Sequence, residues 1–365
     1  MASKEGEGQA TIDKLFVPVD LDSLGRYMKK VVPGYIGPIS ARQFSKGLSN
    51  PKYLVTDEGT GKKYVIKRKP PGKLLIETAH QVEREYRVIH ALQSHTNVPV
   101  PRVYALCEDQ SVIGATFFIM DFMQGRVFQD RPLLDHLAPA DRRKCLESVM
   151  DTAAKLHKAD PVKIGLFGQV GFTKMGNAYD RQINTWVRSE QAYLKVKGRD
   201  GSPNYTIKEH DKMLSWMRAN LPKDEVAVMH GDFGIHNMIF HPTEPRVIAL
   251  IDWENCTIGH PLSDLATILG NYTRPPSDLP EGFPTTTELM QRYCLTVGRP
   301  YPVPNFDVCM CWNFFKVCIQ MQGIWARGQT PGLESPESAR SATADAFKRT
   351  NDLALMFAQS GGAKL

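Results

Sequence analysis

Apolar residues recur at helical spacing from Leu21 to Val32, and Pro33-Gly34 stops the pattern, which predicts one short amphipathic helix. The pattern then changes. Ala41–Phe44, Lys52–Thr56 and Lys63–Lys69 are short, partly alternating runs of the kind that half-buried strands show. Gly47-Leu48-Ser49-Asn50 separates the first two, and Asp57-Glu58-Gly59-Thr60-Gly61 reads as a hairpin turn after the second. Thr78–Leu92 returns to helical spacing, with Val82, Tyr86, Ile89 and Leu92 on one face. Val98-Pro99-Val100-Pro101 is extended, as residues before proline prefer, and Val103–Cys107 and Thr116–Met120 read as further strands. Residues 41–122 therefore predict a small antiparallel sheet carrying a single helix.

Beyond residue 130 the periodicity is helical. Helices are expected over Arg142–Lys158, Arg181–Lys195, Lys208–Asn220, Pro261–Leu269, Thr286–Cys294, Asp307–Trp325 and Ser335–Ala358. Two short apolar runs, Val226–Met229 and Val247–Ile251, interrupt them as strands. The expected class is α+β with two lobes: a flexible segment over 1–20, an N-lobe over 21–122, a helical C-lobe over 123–358 and a flexible tail over 359–365. The link between lobes is placed at Met120–Gly125.

The chain has 365 residues, 42% hydrophobic and 23% charged, which excludes disordered, collagen-like and coiled-coil classes. A net charge of +6 is too weak to argue for nucleic acid, and leans toward an anionic partner. Seven cysteines without a CxxC pair fit buried free thiols in a reducing compartment better than a zinc site. No apolar run is long enough to span a bilayer, and the N-terminus has no signal-like apolar stretch, so a soluble intracellular protein without a membrane partner is expected.

One constellation carries chemistry. His230-Gly231-Asp232 is followed by Asn237 five positions after the aspartate, and by Asp252 in Val247-Ile-Ala-Leu-Ile-Asp-Trp253. Phosphoryl transfer needs a carboxylate to orient the attacking hydroxyl and accept its proton, and two oxygen ligands to hold Mg²⁺ against the phosphates. Asp232, Asn237 and Asp252 supply those three roles; the plainer alternative is an Asp–Asn pair that caps loops.

These residues resemble the aminoglycoside phosphotransferase and choline kinase superfamily, which has a protein-kinase-like fold. The resemblance covers about residues 40–350, and implies Asp232 as the catalytic residue with Asn237 and Asp252 on the metal. Tyr64-Val-Ile-Lys67 resembles the strand lysine that holds the α/β-phosphates, and Val82-Glu-Arg-Glu85 the helix whose Glu85 pairs with it. Read alone, Lys67 is equally an edge lysine and Glu85 a helix-surface ion-pair partner. Gly47-Leu-Ser49-Asn50 resembles the family's short phosphate loop, with an ordinary hairpin turn as the equal alternative. Phe118-Ile-Met-Asp121-Phe-Met123 resembles the hinge, where backbone groups of Asp121 and Met123 would bond adenine. The implied cofactors are ATP and Mg²⁺. His230 and Asp264 are expected to brace the catalytic loop, His236 to be a satisfied loop histidine or a substrate contact, and His260 stands where relatives often have aspartate.

Phe44-Ser-Lys-Gly-Leu-Ser-Asn-Pro51, Glu83-Arg-Glu-Tyr-Arg87, His241-Pro-Thr-Glu-Pro-Arg246 and Phe314-Phe-Lys-Val-Cys-Ile-Gln-Met-Gln-Gly323 resemble one branch, the phosphotransferase-like domain found with acyl-CoA dehydrogenases. That resemblance implies an acyl or hydroxyacyl acceptor, with CoA thioesters among the candidates. The chain ends soon after the kinase-like stretch, so no attached dehydrogenase is expected. Arg68, Lys69 and Lys73 are candidates for a basic surface at the cleft mouth; a solvated lysine face is the equal alternative. Trp312–Trp325 reads as core, with Gln320 and Gln322 as the polar exceptions. Ala363-Lys364-Leu365 is a close variant of the Ser-Lys-Leu address, which in a eukaryote predicts a peroxisomal import receptor as partner and the peroxisome matrix as destination, and otherwise the cytoplasm. The competing functional classes are a catalytically silent module that binds nucleotide or acyl-CoA, disfavoured by the intact Asp232, Asn237 and Asp252, and a protein kinase, disfavoured by the missing G-x-G-x-x-G, D-F-G and A-P-E segments.

Overall fold

A computed structural model describes residues 11–12, 15–44, 50–70, 82–128, 137–273, 279–329 and 343–359. Ser49, Lys73 and Ala363-Lys364-Leu365 lie outside the described residues, as do the starts of the helices expected at Thr78 and Ser335.

The chain divides into two compact units. The first comprises residues 1–174, 230–257 and 276–285, and the second residues 175–229, 258–275 and 286–365. The segment around Asp232 thus packs within the same unit as the N-terminal sheet.

In the first unit, strands β1 (Thr11–Ile12), β2 (Ile39–Phe44), β3 (Lys52–Asp57), β4 (Lys63–Arg68), β5 (Val103–Cys107) and β6 (Phe117–Asp121) form one antiparallel sheet in the order β1-β2-β3-β4-β6-β5. The β3–β4 turn is the expected hairpin. The buried Asp57 carboxylate accepts from the Gly59 N–H and the Thr60 hydroxyl within it, and from the Ile36 and Gly37 N–H groups beyond it. Period-2 alternation sends Tyr53, Val55, Tyr64 and Ile66 to one face, against Leu24 and Met28 of helix α1 (Leu21–Val31). Asp20 caps α1 through the Ser23 N–H. The opposite alternation leaves Lys52, Val65, Lys67 and Met120 on the other face.

Helix α2 (Val82–His95) packs against β5 and β6, with Val82, Glu85, Val88, Ile89 and Leu92 buried. A short α3 (Gln110–Ile113) follows β5 and ends on Gly114 in the left-handed region. A three-stranded sheet of order β10-β9-β7 completes the unit, built from β7 (Arg126–Val127), β9 (Met238–Phe240) and β10 (Val247–Leu250). Helix α4 (Pro139–His157) packs on it, and Ser148 Oγ accepts from the Val247 N–H.

The second unit is helical: α5 (Ala178–Tyr193), α6 (His210–Ala219), α7 (Leu262–Gly270), α8 (Thr286–Val297), α9 (Phe306–Gln329) and α10 (Ala344–Gln359). The remaining strands, β8 (Ala227–Met229) and β11 (Thr257–Gly259), pair as a ribbon. Helix α9 is apolar on nearly every side because α5, α7 and α10 all pack on it. Gln320 is exposed, whereas Gln322 is fully buried, donating to Glu190 Oε1 at 3.2 Å and to the Tyr205 carbonyl at 2.9 Å. Gln322 is therefore part of a buried polar network among helices. Asp264 is buried in the first turn of α7. His260 is buried; its Nε2 donates to the Lys223 carbonyl at 3.0 Å and its Nδ1 accepts the Leu262 N–H at 3.3 Å. Burial holds its pKa below the ordinary histidine value. That gives the unexplained histidine a structural job: a neutral cap on the start of α7. Among the described residues, no helix is long and apolar enough to cross a membrane.

Candidate active site

The loop that carries Asp232 starts where β8 ends. Gly231 has φ of +82°, and a Cβ there would collide with the Asn255 carbonyl, so both conformation and space require glycine. Asn237 precedes β9, and Asp252 lies two residues past β10. These strands pair antiparallel, with Leu250 opposite Met238, and the Ile251 N–H reaches the Asn237 carbonyl at 3.0 Å. The hairpin is what brings Asn237 and Asp252 together across fifteen positions of sequence. His230 fastens the loop to the hairpin. Its Nε2 donates to the Ile251 carbonyl at 2.9 Å, and its ring lies 4.7 Å from that of the buried Trp253.

Asp252 itself has φ 65° and ψ 61°, a left-handed conformation that non-glycine residues seldom adopt. Such strain persists where surrounding structure fixes it, and it gathers at functional sites. The Asp252 side chain is held by Lys67: Lys67 Nζ is 2.9 Å from Asp252 Oδ1 and 2.5 Å from Glu85 Oε2. The Lys67 and Glu85 side chains are 1% and 3% exposed, so neither is a surface residue, and Glu85 is no helix-surface ion pair. Arg84, beside Glu85 on α2, donates to the Cys256 carbonyl and stacks on Phe172 at 4.7 Å. Helix α2 is thereby tied to the segment that follows Asp252.

Charges set the protonation states. Burial alone would lower the Lys67 pKa, but the Glu85 and Asp252 carboxylates overcome it and hold the ammonium above its ordinary range. Burial alone would raise Asp252, but Lys67 and Lys52 hold its carboxyl well below the usual carboxylate range. Asp232 follows the same logic. Burial opposes ionisation, yet the hydrogen bond and charge of His236, then His230 and Asn237, lower its pKa. Asn237 Nδ2 donates to both the carbonyl and the Oδ2 of Asp232, at 3.0 and 2.9 Å, and His236 Nε2 lies 3.3 Å from the same Oδ2. The hydrogen bond to Asp232 in turn raises the His236 pKa.

Lys67, Glu85, Asp121, Met123, Asn237 and Asp252 line one cavity of about 280 Å³, with Lys52 and His236 also in its wall. Asp232 stands just outside that wall, bonded to two of its members. At the hinge, the Asp121 N–H is taken by the Arg102 carbonyl and the Phe122 N–H by the Lys63 carbonyl. The Asp121 carboxylate is likewise engaged outside the cavity's chemistry, by Lys62 and Tyr104. Asn50 is buried two residues before β3, but is not in the wall. Ser49 lies outside the described residues. The expected basic surface at the cleft mouth needs correction at two of its three members. Arg68 is buried, because it sits on the core-facing alternation of β4, and Lys69 is paired with Glu83. Neither lines the cavity. Lys52, which sequence reasoning missed, does. Its signal is its register, directly opposite Lys67.

Among the described residues, no group of three or more His, Cys, Asp and Glu side chains forms a metal-binding cluster. The donor set present nevertheless fits Mg²⁺, which is usually held by one or two carboxylates together with substrate phosphates and water. Asp252 is an ionised carboxylate on the wall, and Asn237, whose amide nitrogen is committed to Asp232, has its oxygen left to offer.

Residues 40–286 match the model of the Phosphotransferase enzyme family. A crystal structure of a proposed aminoglycoside phosphotransferase from Ralstonia eutropha superposes with a TM-score of 0.80 at 30% identity, covering 95% of this chain and all of that one. The architecture is the protein-kinase-like fold. Among curated proteins, a proposed acyl-CoA dehydrogenase of Arabidopsis thaliana is 35% identical over 346 residues, and acyl-CoA dehydrogenase family member 11 of Gallus gallus 37% over 326. They cover 88% and 84% of this chain, but the chain spans only 41% and 40% of their lengths.

Proposed function

The chain belongs to the phosphotransferase enzyme family, in which an alcohol group is the acceptor, and on that premise we propose that it is an ATP- and Mg²⁺-dependent small-molecule kinase. The observation that carries the reading is the ion triad Glu85–Lys67–Asp252 on the wall of a cavity that Asn237 also lines, with Asp232 hydrogen-bonded to Asn237. Lys67, fixed by Glu85, takes the nucleotide phosphates. Asn237 and Asp252 would hold Mg²⁺, which would supply charge to offset that of the phosphates. Asp232, kept ionised by its neighbours, orients the acceptor hydroxyl and receives its proton as the oxygen bonds to the γ-phosphorus and the bond to ADP breaks. Positioning and fixed charge supply most of the acceleration.

The acceptor we propose is an anionic metabolite with a hydroxyl, of the hydroxyacyl-CoA type. Two observations support it: the net charge of +6 and the names of relatives that contain a matching stretch. The test is calorimetry of ATP with and without Mg²⁺ on the wild type and on Asp252→Ala, followed by an acceptor screen. Mg²⁺-dependent binding that weakens sharply in the variant is expected, with phosphorylation of a hydroxyacyl-CoA and none of choline or aminoglycosides. A folded wild type that binds no ATP would overturn the kinase reading in favour of a silent binding module. Turnover of cationic acceptors alone would overturn the acceptor assignment.

A further inference from the structure

Lys52 of β3 stands directly opposite Lys67 of β4, and both side chains line the cavity. Directly opposed residues on an antiparallel pair bring their Cβ atoms to about 5 Å, and like charges there repel. Such a pair is tolerated where an anion lies between the two. Asp252 is that anion, its Oδ1 2.9 Å from Lys67 Nζ and 3.7 Å from Lys52 Nζ.

The two lysines are not equivalent. Lys67 is buried and has a second, closer carboxylate in Glu85. Lys52 keeps 26% of its side chain exposed and depends on the longer contact to Asp252. Strand alternation explains its direction: Tyr53 and Val55 enter the core, so Lys52 is turned to the opposite, cavity side. Asp252 is also the carboxylate assigned to the metal. Once its charge is committed to a divalent cation it cannot balance Lys52 as well. Lys67 retains Glu85, whereas among the described residues Lys52 retains only the longer-range charge of Glu254. An ammonium group left facing a cavity needs a new anion in the same place, because an unpaired charge in a partly dry site is costly. The anion that enters the cavity with the metal is the nucleotide's polyphosphate.

We propose that Lys52 is a second phosphate-binding lysine, which exchanges Asp252 for the nucleotide phosphates when the metal–nucleotide complex binds. This inference rests on the ATP-dependent reading above. In it Lys67 is the fixed cation, held by Glu85 in both states, and Lys52 is the one that changes partner. The residue then reports on phosphate charge rather than on the base, and contributes to binding more than to any proton transfer.

The test is calorimetric titration of the full chain with Mg–ATP for the wild type, Lys52→Met and Lys52→Arg, with the melting temperature of each ligand-free protein recorded beside it. Loss of one charge-assisted contact predicts a roughly tenfold weaker Kd in Lys52→Met. Lys52→Arg, which keeps the charge, recovers most of the affinity, and the ligand-free melting temperatures stay close together. Wild-type affinity in Lys52→Met, measured where the wild type does bind, overturns this inference and leaves the kinase reading standing. Equal losses in Met and Arg variants with a lowered melting temperature make Lys52 a packing residue and overturn it too. A wild type that does not bind Mg–ATP removes both together.

Discussion

Lys67 and Glu85 are almost wholly buried and 2.5 Å apart, so removing Lys67 takes from Glu85 its buried cation, and removing Glu85 leaves Lys67 with Asp252 alone. Truncating one partner of a buried pair costs about 3–5 kcal/mol, whereas replacing both by apolar groups of similar size is often close to neutral. Glu85→Ala, which leaves Lys67 its Asp252 contact, is therefore expected to lower unfolding stability by about 3 kcal/mol, the lower end of that range, read from denaturant midpoints. Lys67→Met with Glu85→Leu is expected to recover most of that loss and none of the activity. A double variant as unstable as the single would show that the pair is not what the site's stability turns on. Gly231 makes a sharper case. Its +82° φ and the Asn255 carbonyl beside it exclude any Cβ, so Gly231→Ala should abolish turnover through the displaced catalytic loop, measured as kcat in a variant that still shows helical circular dichroism. Single residues were the most legible layer of this sequence. Lys67, Glu85, Asp232, Asn237 and Asp252 stand in short local patterns, and the structure places four of the five on one wall with Asp232 beside it. Lys52 was not legible: alternation gives its face, but only pairing register puts it opposite Lys67.

At the level of elements, periodicity found the long helices and the central strands, and missed what pairing alone creates. Residues 126–127, 238–240 and 257–259 are too short to carry a pattern, and become strands only because a neighbour supplies the other half of the ladder. The same limit hid the network that joins α5, α6 and α9. Its histidine carries a pH prediction. His210 Nε2 is 2.8 Å from the buried Glu190 Oε2, its Nδ1 is 2.8 Å from Asp211, and the Phe315 ring packs beside it. The Glu190 hydrogen bond, partly opposed by burial and helped by Asp211, raises its pKa from 6.5 to about 9. A group with a raised folded pKa stabilises fully below its unfolded value and loses that contribution as pH rises through the folded one. Melting temperature should therefore fall between about pH 6.5 and 9 by more in the wild type than in His210→Gln, whose curve over that window should be flatter. Parallel curves would assign the slope to other groups.

For the whole molecule, the division into compact units carries the argument, because chain order and packing disagree. More than fifty residues of the second unit, 175–229, separate the sheet and α2 from the loop of Asp232, yet residues 230–257 pack with the former. No local pattern announces this. The β7–β9 pairing, the bond from the Leu250 N–H to the Pro99 carbonyl, the Lys67–Asp252 ion pair and the clamp of Arg84 on Cys256 create it, and all are contacts between segments distant in sequence. A ligand that fills the cavity therefore meets four separated pieces of chain: β3–β4, α2, the stretch 120–123, and residues 236–252. Hydrogen exchange followed by mass spectrometry can see this directly. A ligand that binds only the folded state adds stability as RT ln(1 + [L]/Kd), about 2.7 kcal/mol at a hundredfold excess over Kd. With Mg–ATP at such a concentration, slowed exchange is expected together in peptides covering 52–68, 82–95, 117–127 and 230–257. Asp252→Ala should lose that protection in all four, because one ion triad ties Lys67 of β4 and Glu85 of α2 to the segment after β10. Protection confined to one segment, or surviving intact in the variant, would mean that the nucleotide binds without the triad, and the site would have to be sought elsewhere.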